Sequence, residues 1–230
     1  MKHRIVPGFT ITEVVLFLAV SGALAVGLIA GMGVAIRSQQ YRDSVQSYAN
    51  FLRDQYGQVI TVINDERAGD VACPLLGDDS AARGRSDCVV VGRYINSIDS
   101  GRYEARSIYA LRLGDEWLYS LGTKDIEYVV HWGATTRLAS LTTGKFSIVM
   151  WRNPDNGMVR VTPHPDVLTS ADITPFIQNN SVISSSESTN EVCVHDGSML
   201  AGQSQAIFIS NQVGSSDAIR VDNATEGCSS

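Results

Sequence analysis

A single carboxylate, Glu13, stands at the head of an apolar run, Val14 to Ile36, that holds no ionisable side chain over 23 residues. A run of that length crosses a hydrocarbon core as a helix. An acid at the centre of such a core costs about 2.5–3.5 kcal/mol and less near its end, so the default reading of Glu13 is functional. The other reactive groups are four cysteines, Cys73, Cys88, Cys193 and Cys228, all beyond the apolar run. An even count outside a membrane reads as two disulfides. Three pairings exist; Cys73–Cys88 and Cys193–Cys228 are favoured because each closes a compact local loop. A zinc site would need closer thiol pairs, and the chain has no CxxC, so no metal and no cofactor are expected. His131, His164 and His195 are scattered, with no HExxH, GxSxG, Walker or dinucleotide pattern. The expectation is a protein that is not an enzyme, in which the histidines make local hydrogen bonds or face solvent.

The residues before the apolar run are more specific. Met1-Lys2-His3-Arg4-Ile5-Val6-Pro7-Gly8 is a short basic leader ending in glycine, followed by Phe9, the triplet Thr10-Ile11-Thr12, and Glu13. This stretch resembles the type IV pilin and pseudopilin signal, over about an eighth of the chain. The resemblance implies a cut between Gly8 and Phe9 by a prepilin peptidase on the cytoplasmic side, N-methylation of Phe9, and an assembly role for Glu13. One departure is visible. Many members of that family carry a proline partway down the membrane helix, whereas this chain has none between Phe9 and Cys73 and offers Gly22, Gly27, Gly31 and Gly33 instead. Glycine can also loosen a helix, at up to about 1 kcal/mol relative to Ala.

The same stretch admits an ordinary secretory signal, with Lys2 and Arg4 as its basic region, Val14–Val20 as its apolar region and Ala23-Leu24-Ala25 as a small-x-small cleavage site. Glu13 interrupts that pattern, and the apolar run continues well past Ala25. A plain amino-terminal anchor is the third reading, with Lys2 and Arg4 keeping their end cytoplasmic.

The elements that must carry these residues follow from periodicity. Tyr41, Val45, Tyr48, Leu52, Tyr56, Val59 and Ile63 recur at spacings of three and four, one stripe of a helix that continues from the apolar run without a breaker. From Phe9 to Asn64 it would span about 84 Å. Residues 9–36 form the membrane or filament-core half; from residue 37 the helix is amphipathic and lies against a globular domain, with core packing as the role of the stripe. Asp65-Glu66-Arg67-Ala68-Gly69 reads as its exit.

Beyond Gly69 the period shortens. Cys88–Ile95, Ala105–Leu113, Glu116–Leu121, Phe146–Trp151, Met158–Val161, Val192–Val194, Ala206–Ile209 and Ala218–Val221 read as strands. Gly114-Asp115 and Asn153–Gly157 are the clearest hairpin turns. The expected fold class is α+β, an antiparallel sheet packed on the second half of the helix, the lollipop that the pilin resemblance implies. Gly77–Asp87 reads as an exposed loop bracketed by Cys73 and Cys88, and Asn179–Asn190 as a serine-rich surface loop. Asn179-Asn180-Ser181 and Asn223-Ala224-Thr225 fit a glycosylation triplet that also arises by chance.

The whole chain has a formal net charge of −6. Loss of Lys2 and Arg4 leaves 16 basic against 24 acidic side chains, or −8, which argues against general nucleic-acid binding. Against that background six arginines between Arg83 and Arg112 meet only three acids, a local surplus that is either solvated or a contact for DNA or another anionic polymer. The reading that unites these features is a pilin. It would be a single-pass cytoplasmic-membrane protein before assembly and part of a cell-surface filament afterwards. Its partners would be the prepilin peptidase, an inner-membrane assembly platform and other pilin subunits, with Glu13 pairing to a neighbour's Phe9 amine. The alternatives are a minor pilin or pseudopilin of a secretion or DNA-uptake machine, and a membrane-tethered binding protein that never polymerises.

Overall fold

With no proline to remove a backbone donor, the helical period expected after Phe9 forms one element, α1 (Ile11–Ile60). The structure is a computed structural model that describes residues 10–61, 88–141, 144–181, 189–195, 205–211 and 218–228. α1 passes through Gly22, Gly27, Gly31 and Gly33 unbroken. It closes at Thr61, whose backbone N–H donates to the Gly57 carbonyl at 3.0 Å. Ile63 and the exit expected at Asp65–Gly69 lie outside the described residues. The chain divides into two compact units, Met1–Arg42 and Asp43–Ser230.

In the first unit the large apolar side chains from Ile11 to Ile36 are exposed, Phe17, Leu24, Leu28 and Ile29 among them. The helix is long and apolar enough to cross a membrane, by length and composition.

In the second unit the expected stripe is a core face: Val45, Tyr48, Leu52, Tyr56 and Val59 are buried. Beyond them lie two antiparallel sheets. The first comprises β1 (Cys88–Asp99), β2 (Arg102–Leu113), β3 (Glu116–Val129), β5 (Ser147–Arg152) and β6 (Val159–His164), in the order β3-β2-β1-β5-β6. The second comprises β4 (Thr135–Leu138), β7 (Thr189–His195), β8 (Gln205–Ser210) and β9 (Ile219–Asn223), in the order β4-β7-β8-β9. The fold class is therefore α+β, with two sheets where one was expected.

Adjacent residues of β1 point to opposite faces, and each face has its own helix. Arg93 reaches Gln55 of α1 at 2.9 Å. Tyr94 joins a cluster with Ile108, Tyr119, Trp151, Ile173 and Ile177, the last two from a second helix, α2 (Ser170–Ser181). No helix is expected there from the sequence, although Thr169-x-x-Asp172 before Ile173 is a helix-start pattern; Asn179–Ser181, expected as the start of a surface loop, are the last turn of α2. Pro175 sits inside it, at a position where proline removes a ladder bond and argues against helix. Burial of Ile173 and Ile177 offsets the loss. Thr174 also grips the edge of β3, accepting from Tyr119 N–H and donating to Tyr119 C=O, both at 2.8 Å.

Several strands run further than their apolar cores. β1 and β2 extend to a two-residue turn at Ser100-Gly101, where the Asp99 carboxylate accepts from the N–H groups of Gly101 and Arg102 at 3.0 and 2.9 Å. β3 continues to Val129 through Lys124-Asp125-Ile126-Glu127, a stretch too charged to read as strand. Like charges stand directly opposite there, Arg106 to Lys124 and Glu104 to Glu127. Such pairs destabilise a ladder, and neighbouring opposite pairs relieve them: Lys124–Glu127 at 3.1 Å, Arg106–Glu104 at 3.1 Å and Lys124–Glu104 at 3.6 Å. The Gly114-Asp115 turn joins β2 to β3 with Gly114 at φ +65°, the positive value a first central residue of a tight hairpin needs.

Candidate functional site

Gly8 and Phe9 lie outside the described residues; the other half of the motif, Thr10 to Glu13, begins α1. The Thr10 N–H and hydroxyl both donate to Glu13 Oε2 at 2.9 Å, and the Glu13 N–H reaches back to Thr10 Oγ1 at 3.3 Å. This is a capping box, in which two otherwise unmet backbone donors of the first turn are satisfied reciprocally. A carboxylate there also faces the positive end of the helix dipole. The sequence carried the signal: Thr-x-x-Glu before an apolar run is its signature. Glu13 therefore has a local partner within its own chain.

The far end of the second unit is stapled. Cys193 of β7 is bonded to Cys228, in the short 3-10 turn Glu226–Cys228 that follows β9, with 5.4 Å between Cα atoms. Two side chains clamp the same turn. Glu191 accepts from the Thr225 N–H at 2.7 Å, and Arg137 donates to the Gly227 carbonyl at 3.2 Å. Cys88 is also disulfide-bonded. Cys73, its expected partner, lies outside the described residues.

The arginine-rich stretch is largely neutralised where it is described. Arg93 is buried and donates to Asp125 at 2.5 Å and to Ser107 at 2.8 Å; Arg102 pairs with Asp99 at 2.7 Å, and Arg106 with Glu104. Arg112 lies over the Trp117 ring at 5.8 Å. Arg83 and Arg85 fall outside the described residues. The histidines stand apart. His164 makes a T-shaped contact with Phe176, ring centroids 5.4 Å apart, His195 accepts from Arg137 Nε at 3.1 Å, and His131 stacks on Tyr128 with centroids 6.1 Å apart. Burial first, and the Arg137 charge second, hold the His195 imidazole below its ordinary pKa. Among the described residues no group of three or more His, Cys, Asp or Glu is placed to hold a metal.

Between β3 and β4 the fold presents a feature that no sequence motif announces. The 3-10 turn His131–Gly133 carries Trp132 at φ 59°, ψ 20°, followed by Gly133 at φ 71°. A bulky side chain in the left-handed region costs on the order of 1–2 kcal/mol, and such strain concentrates at functional sites. The indole is 63% exposed, beside Val129 at 52%. The turn is firmly rooted. Val130 and Ala134 on either side are buried, Val130 N–H donates to Gly101 O at 2.8 Å, and Ser44 Oγ donates to His131 O at 2.9 Å. Beneath it Tyr48 stacks on Tyr103 at 4.9 Å and Tyr128 on Phe51 at 4.3 Å, and burial pushes the Tyr48 and Tyr103 phenols well above their usual pKa. The sequence shows only His-Trp-Gly; exposure and a positive φ at Trp132 are properties of the folded chain.

Neither a protein-family model, nor a curated protein, nor a solved structure matches this chain.

Proposed function

We propose that this chain is a structural subunit of a type IV pilus-like filament, made as a membrane-anchored precursor and assembled through its N-terminal helix. The observation that carries the reading is the junction Gly8-Phe9-Thr10-Ile11-Thr12-Glu13 at the head of a 23-residue uncharged run. That run lies in a helix whose large apolar side chains are exposed in its own unit. Supporting it, a disulfide-stapled α+β unit comes next in the chain, suited to an oxidising exterior.

In this reading prepilin peptidase frees the Phe9 amine, and that amine becomes the cationic partner of a neighbour's Glu13 as subunits stack. An uncompensated carboxylate in a low-dielectric filament core is strongly unfavourable, so pairing also fixes axial register. The capping box does not compete with this. A carboxylate offers about four lone-pair sites, and Thr10 engages one oxygen. The Val14–Ile36 face then exchanges lipid for protein, and its glycines allow close helix approach.

Mass spectrometry of the mature protein tests the reading at its root. The expected amino terminus is N-methylated Phe9; a start at Val26 places the chain with ordinary secreted proteins and ends the pilin proposal. Cells lacking the chain should then lose surface filaments. Normal filaments in such cells, with the chain scarce in sheared material, would shift the assignment to a minor pilin or pseudopilin.

A further inference from the structure

We propose that the hollow beside Trp132 is a binding site for a neutral oligosaccharide, with the indole as the stacking face for one pyranose ring. The site is independent of filament assembly, since every residue that it uses belongs to the second unit. Residues 127–133 line an open cleft of about 710 Å³, within the range of small-molecule sites, about 300–1,000 Å³. Its floor is fixed before any ligand arrives. The Tyr128 ring stacks on Phe51 and its hydroxyl hydrogen-bonds to Ser47 at 2.8 Å, while the exposed His131 ring stacks on Tyr128. On the rim stands Trp132, held outward in the left-handed region. Among the described residues its indole has no ring or hydrogen-bond partner, so the fold makes no specific use of that strained placement. Strain kept without a structural return points to a ligand.

The charges on the neighbouring strands select the ligand class. Arg102, Arg106 and Lys124 stand there against Asp99, Glu104 and Glu127, cation matched to carboxylate and all joined in pairs. That balance favours a ligand without net charge over a polyanion or a cation. A wholly apolar ligand fits no better, because it would bury Glu127 and His131 without partners. A pyranose meets both demands. One face carries a flat patch of C–H groups for the indole, and its rim carries hydroxyls. Lys124 engages Glu127 through Oε2, so Oε1 can accept from a hydroxyl, and the His131 imidazole and the indole N–H supply further polar groups. A protein partner is the weaker occupant. A stable protein interface buries about 800 Å² per partner, and a single turn cannot supply that.

The probes are cellohexaose, maltohexaose and chitohexaose, titrated into the full chain in a sugar-free detergent and followed by calorimetry and tryptophan emission. Hyaluronan oligomers, which carry carboxylates, serve as the anionic comparison. At least one neutral probe should bind, with an affinity that salt does not change and an emission change that Trp132→Phe abolishes. Trp132→Gly accepts a positive φ without strain, so it should fold at least as stably as wild type while binding weakens at least about tenfold. Trp132→Phe keeps an aromatic face and should retain most of the binding by calorimetry. Near-ultraviolet circular dichroism confirms that both variants keep the fold. Failure of all three neutral probes to bind overturns the site, as does equal binding by wild type and Trp132→Gly. Binding of hyaluronan alone, lost at high salt, overturns the neutral ligand in favour of an anionic polymer. The amino terminus of the mature protein tests the filament reading separately, so either can fail without the other.

Discussion

Two helices of this chain begin with the same device and then meet different surroundings. At α1 the Thr10 N–H and hydroxyl donate to Glu13, and at α2 the Thr169 N–H and hydroxyl donate to Asp172, at 3.0 and 2.6 Å. Both are Thr-x-x-acid caps. After Asp172 come Ile173 and Ile177, fully buried against Tyr94 and Trp151. After Glu13 come 23 residues with no charge and with their large side chains exposed. The cap explains where each helix starts. It does not explain why an acid is kept beside a segment fit for lipid, since Thr10 could cap without it at a loss of one reciprocal bond. Glu13 is set apart from Asp172 by the uncharged run on its carboxyl-terminal side.

The largest expected difference separates charge from cap. Glu13→Gln keeps an N3 residue able to complete the box but removes the anion; filaments should disappear from the cell surface while membrane insertion is retained or improves. Asp172→Asn, the matched change at α2, should leave filaments intact. Electron microscopy of both strains checks this, and normal filaments on Glu13→Gln cells would reduce Glu13 to the same local role as Asp172.

Next comes the difference between the helix bodies. Ile177→Ala should lower the unfolding free energy of the second unit by about 2–5 kcal/mol, the range for a large buried aliphatic. Leu24→Ala, in the exposed run of α1, should leave that unfolding unchanged. Urea titration monitored by near-ultraviolet circular dichroism reads both. A smaller effect belongs to the caps alone: Thr169→Ala should cost about 1 kcal/mol in the same assay, whereas Thr10→Ala should not move it.

The smallest effect is a pH dependence. The Thr169 hydroxyl and then its N–H hold the Asp172 carboxyl below its ordinary pKa. A carboxyl depressed in the folded state contributes stability above its unfolded value, near 4, and loses it as pH falls through the folded value. Asp172→Asn should therefore flatten the acid limb of the stability profile below about pH 4, and an unchanged limb would show that this cap carries no linkage.

Legibility in the sequence tracked how local each cause was. α1 was readable because a stripe at three and four and the absence of proline are properties of one segment. The β2–β3 turn was readable because Gly114 announces its own backbone. α2 was legible only at its start, Thr169-x-x-Asp172, because Pro175 speaks against a helix that contact with Tyr94 and Trp151 makes worthwhile. β4 was hidden in Thr135-Thr136-Arg137-Leu138, which becomes a strand by pairing with Val192–His195 far along the chain. Division into two sheets is likewise a matter of distant partners. At the candidate site Glu13 could be singled out by its isolation, and the Thr10 cap was written beside it. Trp132 could not, since an exposed indole reads the same in sequence as a buried one.

The bond between Cys193 and Cys228 closes a covalent ring that contains β8 and β9. A pull applied to the chain at its last described turn thus enters the second sheet through β7, an interior strand flanked by β4 and β8, and not through the edge strand β9. Peeling β9 away one hydrogen bond at a time, the weakest way to load a sheet, is bypassed. Tension must instead shear several strands together, and the carboxyl end of the unit behaves as a mechanical hard point.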